Sequence, residues 1–136
     1  MREELALTPF EKAALDALLL GDDPVLAALR AQAALAGVES RERTGVGLFA
    51  ALVAPEGAAR PNGKLSFKLG DVFGTADGLD AGFGLLLHVC DGLIQTLEAY
   101  AFDDHWPDEL RNVTFRYTNP AGRDFEAVKK LIHRLG

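Results

Sequence analysis

The residues best suited to making contacts lie in one short segment, AFDDHWPDEL, at positions 101–110. It holds the only tryptophan of the chain, Trp106, which follows His105 and is flanked by four carboxylates, those of Asp103, Asp104, Asp108 and Glu109. An aromatic side chain ringed by acids is typical of a surface that recognises a basic protein, because aromatic anchors supply contact energy and charges steer association. The alternative is that Trp106 folds back onto the end of a sheet while the acids are merely solvated.

A predicted hairpin positions a second group of candidates. Residues 83–102, FGLLLHVCDGLIQTLEAYAF, form two apolar runs around Asp91-Gly92. Asp-Gly between strand-like runs is the strongest short-range hairpin signal, because both central residues of a type I′ turn need a positive φ. Counting outward from a two-residue turn pairs His88 with Gln95. This register predicts that His88 and Glu98 lie on opposite faces of the hairpin.

Glu98 falls on the more apolar face in this register. A buried carboxylate is costly and its pKa rises unless a cation pairs with it, so such groups are candidates for functional sites. The structural alternatives are that the register differs, or that Glu98 pairs with an arginine such as Arg116 on a neighbouring strand. With His88 as a general base and with Tyr100, Glu98 also indicates an alternative function, a small enzyme or small-ligand-binding protein with a pocket above the sheet.

Two further patterns match functional motifs only in part. Gly45-Val46-Gly47 begins a GxGxxA match, but a dinucleotide site needs a strand before the glycines and a helix after them, so a bulge or a close backbone approach is favoured. Asp71, Asp77 and Asp80 lack the spacing of a calcium-binding loop. We therefore predict no catalytic residue, no metal site and no cofactor.

The composition restricts the classes of function further. A chain of 136 residues, 49% apolar and 25% charged, predicts one globular domain, residues 1–136. The net charge of -6 disfavours binding to nucleic acid and to anionic membranes. The single cysteine cannot form an internal disulfide, which favours the cytoplasm. We expect no signal peptide in MREELALTPFEK, and no apolar run approaches the ~20 residues of a membrane helix.

Capping signals predict three helices. Thr8-Pro9-Phe10-Glu11 begins the first with a capping box, and Gly21 ends it. Asp23-Pro24 begins the second, and Gly37 is expected to act as its C-terminal cap. Asp124 caps the C-terminal helix. The second helix is apolar almost all round, so it is either sandwiched or part of an interface, which leaves a homodimer open. The alternative is that its alanines are good helix formers on a tolerant surface.

Alternating patterns and turns predict the sheet. We expect strands at residues 45–53, 65–73 and 113–118 in addition to the two hairpin runs, with 39–43 as a charged linker or exposed edge and 74–82 as a flexible loop. Short connections between strands favour antiparallel pairing. The predicted fold class is therefore α+β, with two N-terminal helices, a mostly antiparallel meander of about five strands and one C-terminal helix.

The succession TGVGLFAALVAP, KLGDVFG and FGLLLHVCDGLIQTLEAYAFDDHWP resembles a set of small bacterial α+β proteins. Some of these lie beside polymorphic toxins and are regarded as immunity-like. The resemblance extends over residues 8–107 and rests on structural glycines, the Asp-Gly turn and the Leu-Glu…Trp-Pro run. It implies a non-catalytic inhibitor of a partner protein and carries no catalytic residue set. The predicted binding residues, for a protein partner of basic character, are Glu98, Asp103, Asp104, His105, Trp106 and Asp108.

Overall fold

The computed structural model describes residues 5–61, 65–102 and 105–133. Within these ranges the chain forms three helices and seven strands. In chain order they are α1 (Pro9–Leu18), α2 (Pro24–Leu35), β1 (Gly37–Arg43), β2 (Gly47–Val53), β3 (Phe67–Leu69), β4 (Val72–Ala76), β5 (Leu79–Cys90), β6 (Leu93–Ala101), β7 (Thr114–Tyr117) and α3 (Phe125–Ile132). The predicted α+β class is confirmed, with more strands than expected.

All strands belong to one antiparallel sheet in the order β1-β2-β6-β5-β4-β7, and β3 pairs with β5 beside β4. The β5–β6 hairpin occupies the centre of this sheet, as predicted. Helix α1 packs against β5, α2 against β6 and α3 against β3, all within a single hydrophobic core. One face of the sheet is therefore covered by helices, and we call it the covered face. The opposite face is called the open face.

An aromatic group forms the centre of the covered face. The Phe83 ring of β5 lies 5.8 Å from the ring of Phe10 and 5.6 Å from that of Trp106, both in edge-to-face geometry. Such pairs add stability beyond the area that they bury. Trp106 is only 6% exposed and thus belongs to the core.

The predicted N-terminal caps are confirmed. Thr8 and Glu11 form a capping box, Asp23 accepts a hydrogen bond from the Val25 amide at 2.8 Å, and Asp124 caps α3. The prediction that Gly37 caps α2 is wrong, because Gly37 already pairs with β2 as the first residue of β1. None of the three helices in the described ranges has the length and hydropathy that a bilayer span requires.

Of two predictions about irregular segments, one is confirmed in one of its alternatives and the other is wrong. The charged stretch 39–43 is an exposed edge and not a linker, because it belongs to β1, an edge strand whose charges are compatible with pairing on one side only. The segment 74–82 forms the end of β4 and the start of β5 around a tight turn at Asp77-Gly78, where Gly78 has a φ of 82°. The glycine-rich sequence of 74–82 lacks the apolar runs that predict the strands of the central hairpin.

Candidate functional site: the open face of the sheet

A β-bulge in the central hairpin determines which side chains share the open face. The turn at Asp91-Gly92 has the predicted positive φ values, 51° and 75°. Beyond it the register shifts, so that His88 opposes Thr96 instead of Gln95. One extra residue moves every later side chain of β6 to the other face. The prediction that His88 and Glu98 lie on opposite faces is therefore wrong, because sequence counting assumed an unbroken ladder.

The bulge brings His88 and Glu98 together. Their Nε2 and Oε2 atoms are 3.5 Å apart, at the outer limit of a hydrogen bond, and both side chains are partly exposed. The suggested partner Arg116 lies on β7 opposite Phe73, across β5 and β4 from Glu98. A carboxylate beside an imidazole can orient the ring.

Two aromatic rings lie next to this pair over glycines of β5. A Cβ atom on Gly84 would collide with the Tyr100 ring, and a Cβ on Gly82 would lie 3.3 Å from the Phe102 ring. Both rings therefore rest on bare backbone, with their centroids 5.9 Å apart in edge-to-face geometry. Tyr100 remains 38% exposed and Phe102 54% exposed.

Apolar side chains also flank Glu98 directly across the strands. Phe49 of β2 opposes Glu98 on one side and is exposed, while Leu86 of β5 opposes it on the other. Cross-strand partners share a face, so the carboxylate is set among apolar groups. We call this set the open-face cluster, and it comprises Phe49, Leu86, Glu98, Tyr100 and Phe102.

Trp106, in the segment 101–110 that we call the acidic segment, does not belong to the open-face cluster. The Trp106 ring packs on the covered side, and its backbone amide donates to the Gly45 carbonyl at 2.9 Å. The ring is buried, in agreement with the alternative that Trp106 folds back onto the sheet. His105 is exposed, and the fully exposed carboxylate of Asp108 lies 3.3 Å from Nη2 of Arg43. Asp103 and Asp104 lie outside the described residues.

Sequence reasoning named Glu98, His88 and Tyr100 but missed Phe49, Leu86 and Phe102. A signal for part of the cluster was present, since the alternating pair Gly82 and Gly84 faces the alternating pair Tyr100 and Phe102 across the hairpin. Bulky rings opposite glycines indicate rings that lie flat on a sheet. Phe49 carries no such signal, because its position beside Glu98 depends on the pairing of β2 with β6.

In contrast to Glu98 on the open face, the charged groups of the covered face each have several hydrogen-bond partners. Glu11 is fully buried and accepts hydrogen bonds from Nε and Nη2 of Arg41, both at 2.7 Å. Burial alone would raise the pKa of Glu11, but the hydrogen bonds from Arg41 and Thr8 outweigh it, and the pKa lies below its ordinary value. Such pairing indicates a structural role.

A buried cation, Arg123, is also held by several partners. Arg123 donates to both carboxylate oxygens of Asp71 at 2.9 Å and to the Leu20 carbonyl at 2.7 Å, with its guanidinium 5.3 Å from the Tyr117 ring centroid. Burial raises the pKa of the Tyr117 hydroxyl. These contacts connect α3 to the sheet and to the end of α1, so they serve the fold.

No group of three or more His, Cys, Asp or Glu side chains within residues 5–61, 65–102 and 105–133 is arranged to hold a metal ion. No protein-family model, curated protein or solved structure matches the chain. The open-face cluster is therefore the candidate functional site within the described residues.

Proposed function

We propose that this protein is a non-catalytic binding domain that takes a basic partner protein on the open-face cluster. The observation that carries the proposal is the set of exposed aromatic rings around Glu98, on a sheet face that the helices leave uncovered. Contiguous exposed apolar groups on a protein surface mark interaction sites, and Tyr and Phe are suited to anchor them. An immunity-like inhibitor is the specific form of this function that the sequence resemblance favours.

The charges of the open face favour a basic partner. Glu98 and Glu42 lie on either side of Phe49, on β6 and β1. The cations Lys68 and Arg116 lie on the other side of β5, on β3 and β7. A lysine or arginine of the partner placed over the aromatic rings would gain a cation–π interaction and an ion pair with Glu98.

The acidic segment has a steering role in this proposal. The net charge of -6 attracts a basic protein over a distance, and exposed acids such as Asp108 strengthen the local field. Asp103 and Asp104 are proposed to contribute in the same way, and the exposed His105 remains a proposed contact of the partner. Trp106 acts indirectly, because its buried ring ties the segment to the core.

Site-specific photo-crosslinking tests the proposal. A photoreactive phenylalanine analogue replaces Phe102, and in a control protein it replaces Leu35, which is 74% exposed on α2. In lysate of the native host we expect an adduct with a basic protein from position 102 only, weakened by salt and by Glu98→Gln. The captured protein, once purified, should bind the Tyr100→Ser variant at least about tenfold more weakly, as expected when an aromatic anchor is removed.

Three outcomes would contradict this proposal. Equal adducts from positions 102 and 35 would indicate non-specific contact. An adduct between two copies of the 14.6 kDa chain would identify a homodimer instead. An adduct insensitive to both salt and Glu98→Gln would exclude recognition through charge.

A small-ligand site or small enzyme at His88, Glu98 and Tyr100 is the second candidate function. It is favoured by the bulge that places His88 and Glu98 3.5 Å apart on one face. Native mass spectrometry of protein isolated from its host distinguishes the two candidates. A stoichiometric small molecule that is lost in His88→Asn would support this candidate, and a mass equal to the bare chain would contradict it.

A further inference from the structure

Charged side chains of opposite sign lie on the two halves of the open face. Glu42 of β1 and Glu98 of β6 lie on one half, which we call the acidic side. Lys68 of β3 and Arg116 of β7 lie on the other half, which we call the basic side. The ladders place all four on this face, because directly opposed residues share a face. The open face is therefore polarised across the strands.

A row of opposed residues connects Arg116 to the open-face cluster. Arg116 opposes Phe73 of β4, which opposes Gly84 of β5. Gly84 in turn opposes Tyr100 of β6, whose ring lies over it. Phe73 is partly buried, so the row is apolar up to the guanidinium at its end. Arg116 thus borders the same apolar surface as Glu98, on the other side.

The fold makes no use of the two cations on the basic side. Arg116 and Lys68 are exposed, and neither side chain has a hydrogen bond or an ion pair in the part of the chain that the structure describes. Lys68 opposes His88 of β5, which separates it from Glu98. Both cations are therefore available to a second molecule.

Arg116 and Glu98 lie far enough apart to contact two different groups of one partner. Three strand spacings of about 4.8 Å and an offset of two residues put their Cα atoms about 16 Å apart. This exceeds the screening length of about 8 Å at physiological ionic strength, so each charge attracts its own counterpart. A protein interface of ordinary size, about 800 Å² on each partner, covers both positions.

We propose that the partner presents two opposite charges to this face. A lysine or arginine meets Glu98, and an aspartate or glutamate about 16 Å away meets Arg116. This assignment rests on the proposed binding function and adds to it the orientation and the selectivity of the partner. A surface that is basic throughout would place a cation against Arg116 and be repelled, which excludes wrong partners. Arg116 is thus a specificity-determining residue.

One charge reversal with two opposite expected effects tests this selectivity. Arg116→Glu should weaken binding of the partner captured from position 102 at least about tenfold, because an ion pair is replaced by a repulsion. The same variant should bind pentalysine, a probe that is basic throughout, at least about threefold more tightly. Lys12→Glu on the exposed side of α1 is the matched control. It changes the net charge equally and should alter either affinity by less than about twofold.

Charge reversal in the partner then identifies the acid that meets Arg116. One exposed acid of the partner, when changed to lysine, should weaken binding to the parent protein and restore binding to Arg116→Glu in a double-mutant cycle. The urea midpoint of Arg116→Glu should equal that of the parent, since no contact within the described chain is lost.

The outcomes separate this assignment from the proposed function. Binding that falls with Glu98→Gln but not with Arg116→Glu would overturn the assignment and leave the proposed function standing. Equal effects of Arg116→Glu and Lys12→Glu would show that only net charge matters, and tighter partner binding in Arg116→Glu would show a partner that is basic throughout. Either result would overturn it. Absence of any adduct from position 102 would overturn both.

Discussion

Phe83 and Phe102 lie near one another on the central hairpin but on opposite faces of it. Phe83 is fully buried between α1 and the Trp106 ring, whereas Phe102 is 54% exposed over Gly82. Packing against the helices explains why the Phe83 ring is at its position. Exposed apolar surface contributes little to folding, so folding does not explain the exposed Phe102 ring, whereas the proposed binding function does.

The polar groups of the two faces differ in how many hydrogen bonds hold them. On the covered face Arg123 makes hydrogen bonds to Asp71 and to two backbone carbonyls, and Glu11 is held by Arg41 and Thr8. On the open face, among the residues that the structure describes, Glu98 has one longer contact, to His88 at 3.5 Å. The covered face is thus built for stability, and the open face keeps a carboxylate accessible among apolar groups.

The largest effect should come from the centre of the covered face. Phe83→Ala removes a fully buried ring and its contacts with Phe10 and Trp106. We expect the free energy of unfolding in urea to fall by about 3–5 kcal/mol, because a cavity remains where the ring was. A loss below about 1 kcal/mol would show that the two faces do not differ as described.

The next largest effect should follow removal of the buried cation. Arg123→Met leaves Asp71 and the Leu20 carbonyl without their donor, and we expect a loss of about 3 kcal/mol in the same measurement. Arg111→Met is the matched control, since its exposed ion pair with Glu109 should contribute no more than about 0.5 kcal/mol. Similar losses in both variants would contradict the assigned role of Arg123.

A somewhat smaller loss is expected at Gln32, a buried residue of α2 that joins the loop after β2 to the β5–β6 turn. Gln32→Leu removes three hydrogen bonds and leaves the buried Ile94 amide without its acceptor, at a cost of about 2 kcal/mol. The exposed Gln95→Leu should change stability by less than about 0.5 kcal/mol. If Gln32→Leu were as mild as its control, the loop and the turn would be held by other contacts.

The acid sensitivity of stability should depend on Glu11. Because its pKa is lowered in the folded protein, its ionised form contributes stability above its ordinary pKa, and this contribution is lost as the pH falls through the lowered value. Unfolding measured from neutral pH downwards should show a steeper decline in the parent protein than in Glu11→Gln. The gap between the two should narrow in acid. Parallel curves would contradict this assignment.

The sequence predicted local features well because their causes are local. The capping box at Thr8 and the turn at Asp91-Gly92 depend on residues only a few positions apart, and both are confirmed. The α+β class followed from the same signals. For the charged stretch 39–43 a linker and an exposed edge both remained possible, because the pairing of β1 with β2 that makes it an edge is a tertiary contact that overrides its polar composition.

The candidate site was only partly predictable for a related reason. The bulge at Gln95 is set by how β5 and β6 pair along their full length, and no residue type marks it in advance. It reverses the faces of all later residues of β6, including Glu98. The burial of Trp106 likewise depends on Phe10 and Phe83, which are distant in sequence.

The most direct test of the open face as a binding surface combines stability and binding in one variant. Tyr100→Ser with Phe102→Ser removes the two exposed rings that rest on Gly84 and Gly82. We predict a free energy of unfolding within about 1 kcal/mol of the parent value and a loss of binding to the partner captured from position 102. A stability loss of the size expected for Phe83→Ala, or unchanged binding, would contradict the assignment of this face to recognition.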